Sequence, residues 1–278
     1  DAAARAAVRP HLLEEDGSVN MQALNLLTLV ARDAKEPAEG LQACREAFAK
    51  SPKDLDVRGL LAEFLLRSEK EKERTEGEEL VAALAKEGRA GTLAAADVWQ
   101  RLEQYGRAAD AAAAGLVAYP DDPDLLFRQA ASLEREKKVP ESIAAFEKLI
   151  ALKPDDGAAL NYLGYMYADR NENLDRALDL VTRAVALEPS NAAYLDSLGW
   201  IQFRLGNLDE AERHLLTAKR LSPDDPTIED HLGDLEEKRG DLAKARERWS
   251  RALALEPEDG GAAIRAKLDR TAAAAKQP

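Results

Sequence analysis

Apolar residues in this chain return at steps of three and four. Leu160, Leu163 and Tyr167 mark one helical face, and Leu198 and Leu232 repeat Leu163 in later segments. That spacing predicts amphipathic helices with one buried stripe, and glycine and proline fall at the joints between segments, where a helix must stop. The joints are periodic: Pro120, Pro154, Pro189, Pro223 and Pro257 stand 34, 35, 34 and 34 residues apart, and the beat runs back to Lys86 and Pro52. Small residues keep the same register, at Gly164, Gly199 and Gly233, then Ala177, Ala211 and Ala245, then Ala184, Ala218 and Ala252. Small side chains at fixed spacing let one helix lie close to the next, so the pattern predicts a stacked array of helix pairs, each second helix ending at a proline.

Counting from the regular segments gives seven units, 18–52, 53–86, 87–120, 121–154, 155–189, 190–223 and 224–257, followed by a capping helix and Ala-rich tail over 258–278. Residues 1–17 read as the ragged second half of a preceding repeat or a leader segment, which implies further repeats upstream. The first three units are degenerate, and the run Glu69 to Arg74 reads as a solvated extension of a first helix. Turns are expected near 36–39, 170–175, 205–208 and 239–242, with one extra residue in the 169–175 loop and no strand between 20 and 257. Glycine ends the first helix at Gly206 and Gly240, and Asn207 or Asp241 is placed to start the second. At the far end Ile264 and Leu268 share a face opposite Arg265, Lys267 and Asp269, the build of a cap with a wet outer side.

Charge and motif content narrow the function. The formal charge of −13 argues against nucleic acid, whose phosphates need clustered Lys and Arg. No apolar run reaches membrane-spanning length. No phosphate loop, nucleophile elbow, dinucleotide turn, HExxH or paired CxxC occurs, so neither catalysis nor a cofactor is indicated. Cys44 falls at a packing position and reads as an inert thiol. His231, flanked by Asp230 and Asp234, reads as one of several polar residues on an exposed helix face and not as a metal ligand.

The chain resembles the tetratricopeptide-repeat family. That family places a bulky residue at position 4, Leu-Gly at 7 and 8, an aromatic at 11, Ala at 20 and 27 and Pro at 32, and residues 155–257 follow it closely. The resemblance implies an all-α fold, a right-handed superhelical solenoid of antiparallel helix pairs, with first helices lining a concave groove. Carried over by position, the groove would be built from Asn161, Asp196 and Asp230 at position 5 beside Tyr165, Trp200 and Asp234 at position 9. Phe127 at position 5 and Phe203 at position 12 extend its apolar part. A basic row, Arg67, Arg101, Arg135, Arg204 and Lys238, occupies position 13. The carboxylate clamp of chaperone-binding members is not reproduced, because Asn161, Tyr165, Ser197, Thr227 and His231 stand in its places.

These readings converge on a non-catalytic scaffold that binds an extended or helical protein segment in the groove of its last repeats, with exposed Tyr165, Trp200 and Phe203 as anchors. Within the family the chain looks most like bacterial arrays of the cell envelope, some of which deliver substrates to proteases. The alternative is a structural subunit that uses its convex or end faces, which would show an apolar patch outside the groove.

Overall fold

The computed structural model describes residues 7–14, 16–33, 37–257 and 260–274, and the described residues contain fifteen α-helices. The chain divides into two compact units, Asp1–Leu152 and Lys153–Pro278. The first holds α1 (Met21–Asp33), α2 (Pro37–Lys50), α3 (Leu55–Leu66), α4 (Glu71–Leu84), α5 (Gly88–Arg101), α6 (Tyr105–Ala118), α7 (Pro123–Arg135) and α8 (Val139–Leu152). The second holds α9 (Gly157–Asp169), α10 (Leu174–Leu187), α11 (Ala192–Arg204), α12 (Leu208–Leu221), α13 (Pro226–Lys238), α14 (Leu242–Ala254) and α15 (Ala262–Ala274). Within each unit the odd-numbered helices up to α13 are first helices and pack on the second helices that follow them.

Local chemistry sets both ends of the first helices. Two residues after the joint proline or its equivalent, Asp54, Asp122, Asp156, Asn191 and Asp225 accept hydrogen bonds from the exposed amides of the helix they precede. Each such cap contributes about 1 kcal/mol. At the other end five residues in one register adopt left-handed backbone: Glu103 (φ 58°), Lys137 (φ 62°), Asn171 (φ 55°), Gly206 (φ 84°) and Gly240 (φ 88°). The next amide reaches back across the turn, as in Gln104 N to Trp99 O and Asp241 N to Glu236 O, both near 2.9–3.0 Å. The extra residue of the 155–189 repeat is absorbed here, by a second left-handed residue at Asn173.

Small residues lie where helices meet. Ala177, Ala184, Ala211, Ala218, Ala245 and Ala252 are wholly buried. A Cβ on Gly199 would stand 2.7 Å from Leu215 Cγ, and one on Gly233 would strike the Trp249 indole. Phe146 and Trp249 fill core positions, and Cys44 lies in the core around Leu61 and Phe64, where burial pushes its thiol up to about 12.

Three expectations change. The charged run at 69–74 does not prolong a first helix: α3 ends at Leu66, and Glu71 and Glu73 open α4, where carboxylates favour the positive helix end. Ser68 anchors that break, its hydroxyl bonded to Glu73 Oε2 and accepting from the Lys70 amide. The turns at 170–173, 205–207 and 239–241 match the expected joints, whereas at 36–39 residues 37–39 already belong to α2 and 36 lies outside the described residues. Asp241 caps α14 through the Lys244 amide, but Asn207 makes no cap and donates to Gln202 Oε1 instead. Ahead of α1, Arg9–His11 form a single 3-10 turn and Leu13 and Val19 an isolated antiparallel bridge. Residues 1–6 and the tail at 275–278 lie outside the described residues.

Candidate functional site

The first helices α11 and α13, with α15, line an open cavity of about 500 Å³. Trp200 and Phe203 of α11 give it an aromatic wall, and Arg204, Asp234, Glu237, Lys238, Lys267 and Arg270 supply charge. Trp200 is the centre of a stack. Phe203 lies against it at 4.9 Å between ring centroids, and the His231 imidazole at 4.2 Å and 12° between planes. Tyr165 stands beside His231 at 6.2 Å, and the Arg204 guanidinium sits 5.3 Å from the Trp200 ring centre.

His231 reaches back one repeat. Its Nδ1 lies 2.9 and 3.0 Å from the two oxygens of Asp196, with both side chains buried. Burial works against a charged imidazole, but Asp196, joined by Asp230 and Asp234, outweighs it and raises the His231 pKa. The exposed polar face expected around His231 is therefore a buried His231–Asp196 pair. Among the described residues no three His, Cys, Asp or Glu side chains gather as a metal site.

The acids of the expected groove are engaged. Lys267 Nζ lies 2.8 Å from Asp230 Oδ1 and 2.7 Å from Asp234 Oδ1, and the Trp249 indole donates to Asp234 Oδ1 at 3.1 Å. Burial raises the Asp234 pKa against the pull of Lys267. Burial likewise opposes the Lys267 charge, but Asp234 and Asp230 prevail and its pKa is raised. Arg270 forks onto Glu237 at 2.7 and 2.9 Å, which lowers the Glu237 pKa.

Of the residues singled out in the sequence, Tyr165, Asp196, Trp200, Phe203, Arg204, Asp230 and Asp234 come together here. Phe127 belongs to the first unit, where it meets Phe146 edge-on at 5.6 Å. Asn161 is half-buried on α9 and its Oδ1 has no hydrogen-bond partner. The main correction concerns Trp200, expected as an exposed anchor but only 6% exposed, because His231 from the next first helix covers one of its faces. Its indole N–H is buried and has no hydrogen-bond partner.

Lys267 and Arg270 are site residues that the sequence pattern does not single out, since it places Lys267 on the wet side of its helix. The sequence does carry a signal for them: Lys267 follows Ile264 by three residues and Arg270 follows by three more, which borders the buried stripe. The position-13 cations divide: Arg101 bonds the Glu63 carboxylate and Arg135 the Tyr105 hydroxyl, whereas two reach neighbouring backbones. Arg67 donates to Arg101 O at 2.7 Å and Arg204 to Asp169 O at 3.0 Å.

Helix pairs of 34 residues, joined by small-residue contacts and left-handed turns, define a tetratricopeptide array. The chain belongs to the tetratricopeptide-repeat family, whose pattern matches residues 93–157 and 166–226. It is similar to a TPR repeat-containing protein of Pseudomonas aeruginosa, 35% identical over 116 residues. That match covers 42% of this chain and 20% of the relative. Among solved structures, a thermophilic TPR protein of Thermus thermophilus superposes with a TM-score of 0.56 at 23% identity, over 66% of this chain and 97% of that one. A tetratricopeptide repeat protein from Parabacteroides merdae does so with a TM-score of 0.63 at 12% identity, over 90% and 98%. At those identities the likeness speaks for the fold. Repeats of this family are in general protein-interaction scaffolds without catalysis of their own.

Proposed function

We propose that the second unit is a non-catalytic scaffold that binds a polypeptide segment along its first helices, at the cavity beside Trp200 and Phe203. One observation carries the reading: the Trp200 N–H is a buried donor without a partner, and Asn161 Oδ1 is a buried acceptor without one. An unmet buried polar group costs about 1–3 kcal/mol, and a peptide backbone offers both a carbonyl and an amide at almost every residue. Phe203 adds half-exposed apolar surface on the same wall.

The test is Trp200→Phe, which keeps most of the stack and removes the N–H. Affinity for peptides selected on the full chain should fall about tenfold, as for loss of one strong hydrogen bond, while the thermal midpoint stays level or rises. Unchanged affinity in both Trp200→Phe and Asn161→Leu overturns the reading.

The structural-subunit alternative has one feature in its favour. Leu187 and Leu221, which end successive second helices, are 47% and 46% exposed.

A further inference from the structure

The cavity reverses the sign of the protein that contains it. The whole chain carries 52 acidic against 39 basic residues, a formal charge of −13. The cavity wall carries four cations, Arg204, Lys238, Lys267 and Arg270, against two acids, Asp234 and Glu237. Adding Asp230, which shares Lys267, still leaves a positive excess.

The acids are also spent on particular partners. Asp234 and Asp230 are held by Lys267, and Glu237 by Arg270. That leaves Arg204 and Lys238 with no carboxylate partner among the described residues. Arg204 uses one nitrogen on the Asp169 carbonyl, and its Nε is buried with no partner. The Trp200 N–H on the same wall, on a side chain 6% exposed, is a second donor in that condition. Unmet donors beside cations that have no carboxylate partner call for an anionic acceptor.

We propose that this cavity binds an acidic segment of a partner protein, its Asp or Glu side chains against Arg204 and Lys238 and an apolar neighbour against Phe203. The inference rests on the peptide-binding reading above and supplies its ligand chemistry. Side-chain carboxylates fit better than a chain terminus for a geometric reason. Arg204 and Lys238 close the successive first helices α11 and α13, and packed helices stand about 8–10 Å apart. An extended segment places same-side residues about 7 Å apart, within reach of two long cationic side chains, whereas a terminus brings one carboxylate.

The experiment is selection of random dodecapeptides on the 278-residue chain, from one library with covalently blocked C-termini and one with free C-termini. The blocked library should return sequences rich in Asp or Glu next to an apolar residue. Replacing Glu by Gln in the best peptide should weaken binding about tenfold, and Arg204→Gln with Lys238→Gln should abolish that preference. If the double variant does not fold, Lys238→Gln alone is the test, since that side chain is exposed and bonded to nothing among the described residues. Peptides that bind without acid preference overturn the ligand chemistry and leave the peptide-binding reading standing. Acid preference confined to free C-termini overturns the side-chain source. Retention of no peptide overturns both.

Discussion

The imidazole of His231 lies flat on the indole of Trp200, centroids 4.2 Å apart, while its Nδ1 faces both oxygens of Asp196. One residue thus supports the cavity wall with its ring face and meets a buried acid with its edge. The arrangement ties local stability to pH.

A histidine whose folded pKa is raised contributes stability that is fully present below the unfolded value, about 6.5, and is lost as pH rises through the folded value. The pKa of His231 is raised, so the contribution should be complete in mild acid and fade on the alkaline side. The facing charges are Asp196 from α11 and Asp230 and Asp234 from its own helix, the last two also paired with Lys267 from α15. His231→Gln should cost about 3 kcal/mol or more below pH 6.5, the scale of a broken buried pair, and less as pH rises. Melting curves of both proteins from pH 5.5 to 9 measure this. A gap independent of pH would mean that the imidazole stays neutral throughout.

Trp249→Ala should destabilise the second unit by about 3–5 kcal/mol, since the ring is wholly buried and its N–H is bonded to Asp234. Trp200→Ala should also lose stability, because the stacked ring is 6% exposed. Denaturant midpoints distinguish these packing costs from any loss of binding, and a Trp249→Ala protein that melts like the parent would contradict the packing described.

Ala211→Leu and Ala245→Leu should each cost about 1–3 kcal/mol, because both side chains are wholly buried and added methylenes force the helices apart. Thermal unfolding of either variant is the check, with an unchanged midpoint as the contrary result.

Most of the architecture is legible in the sequence because its determinants are local. A joint proline, an Asp or Asn two residues later and a small residue in each helix fix the pair without reference to distant parts of the chain. The site is less legible. Trp200 looks exposed when its own helix is read alone, and what buries it is a histidine 31 residues onward that lies beside it only after stacking. The charged run at 69–74 has the opposite difficulty, since the same residues suit a helix surface and a helix start. Ser68 decides between them.

The left-handed register yields a stabilising prediction. Gly206 and Gly240 adopt it freely, but Glu103 and Lys137 carry side chains there. The left-handed form costs a non-glycine residue about 1–2 kcal/mol, partly offset by the extra freedom glycine brings to the unfolded chain. Lys137→Gly should therefore stabilise the first unit by about 0.5–1 kcal/mol, and Gly240→Ala should destabilise the second by a similar amount. Chemical denaturation reads both, and a Lys137→Gly protein weaker than the parent would refute the assignment.

The ties from Lys267 and Arg270 to α13 bear on how the array comes apart. A helix held mainly by one neighbour, as α15 is by α14, is a natural place for local opening to begin. Here that helix cannot peel away without leaving Asp230, Asp234 and Glu237 facing one another on α13. Detachment of α15 thus leaves three carboxylates on one helix without their cations, and the two helices should open as one cooperative block. In hydrogen exchange their amides would share a single opening free energy, so α15 should be as slow to exchange as the repeat it packs on.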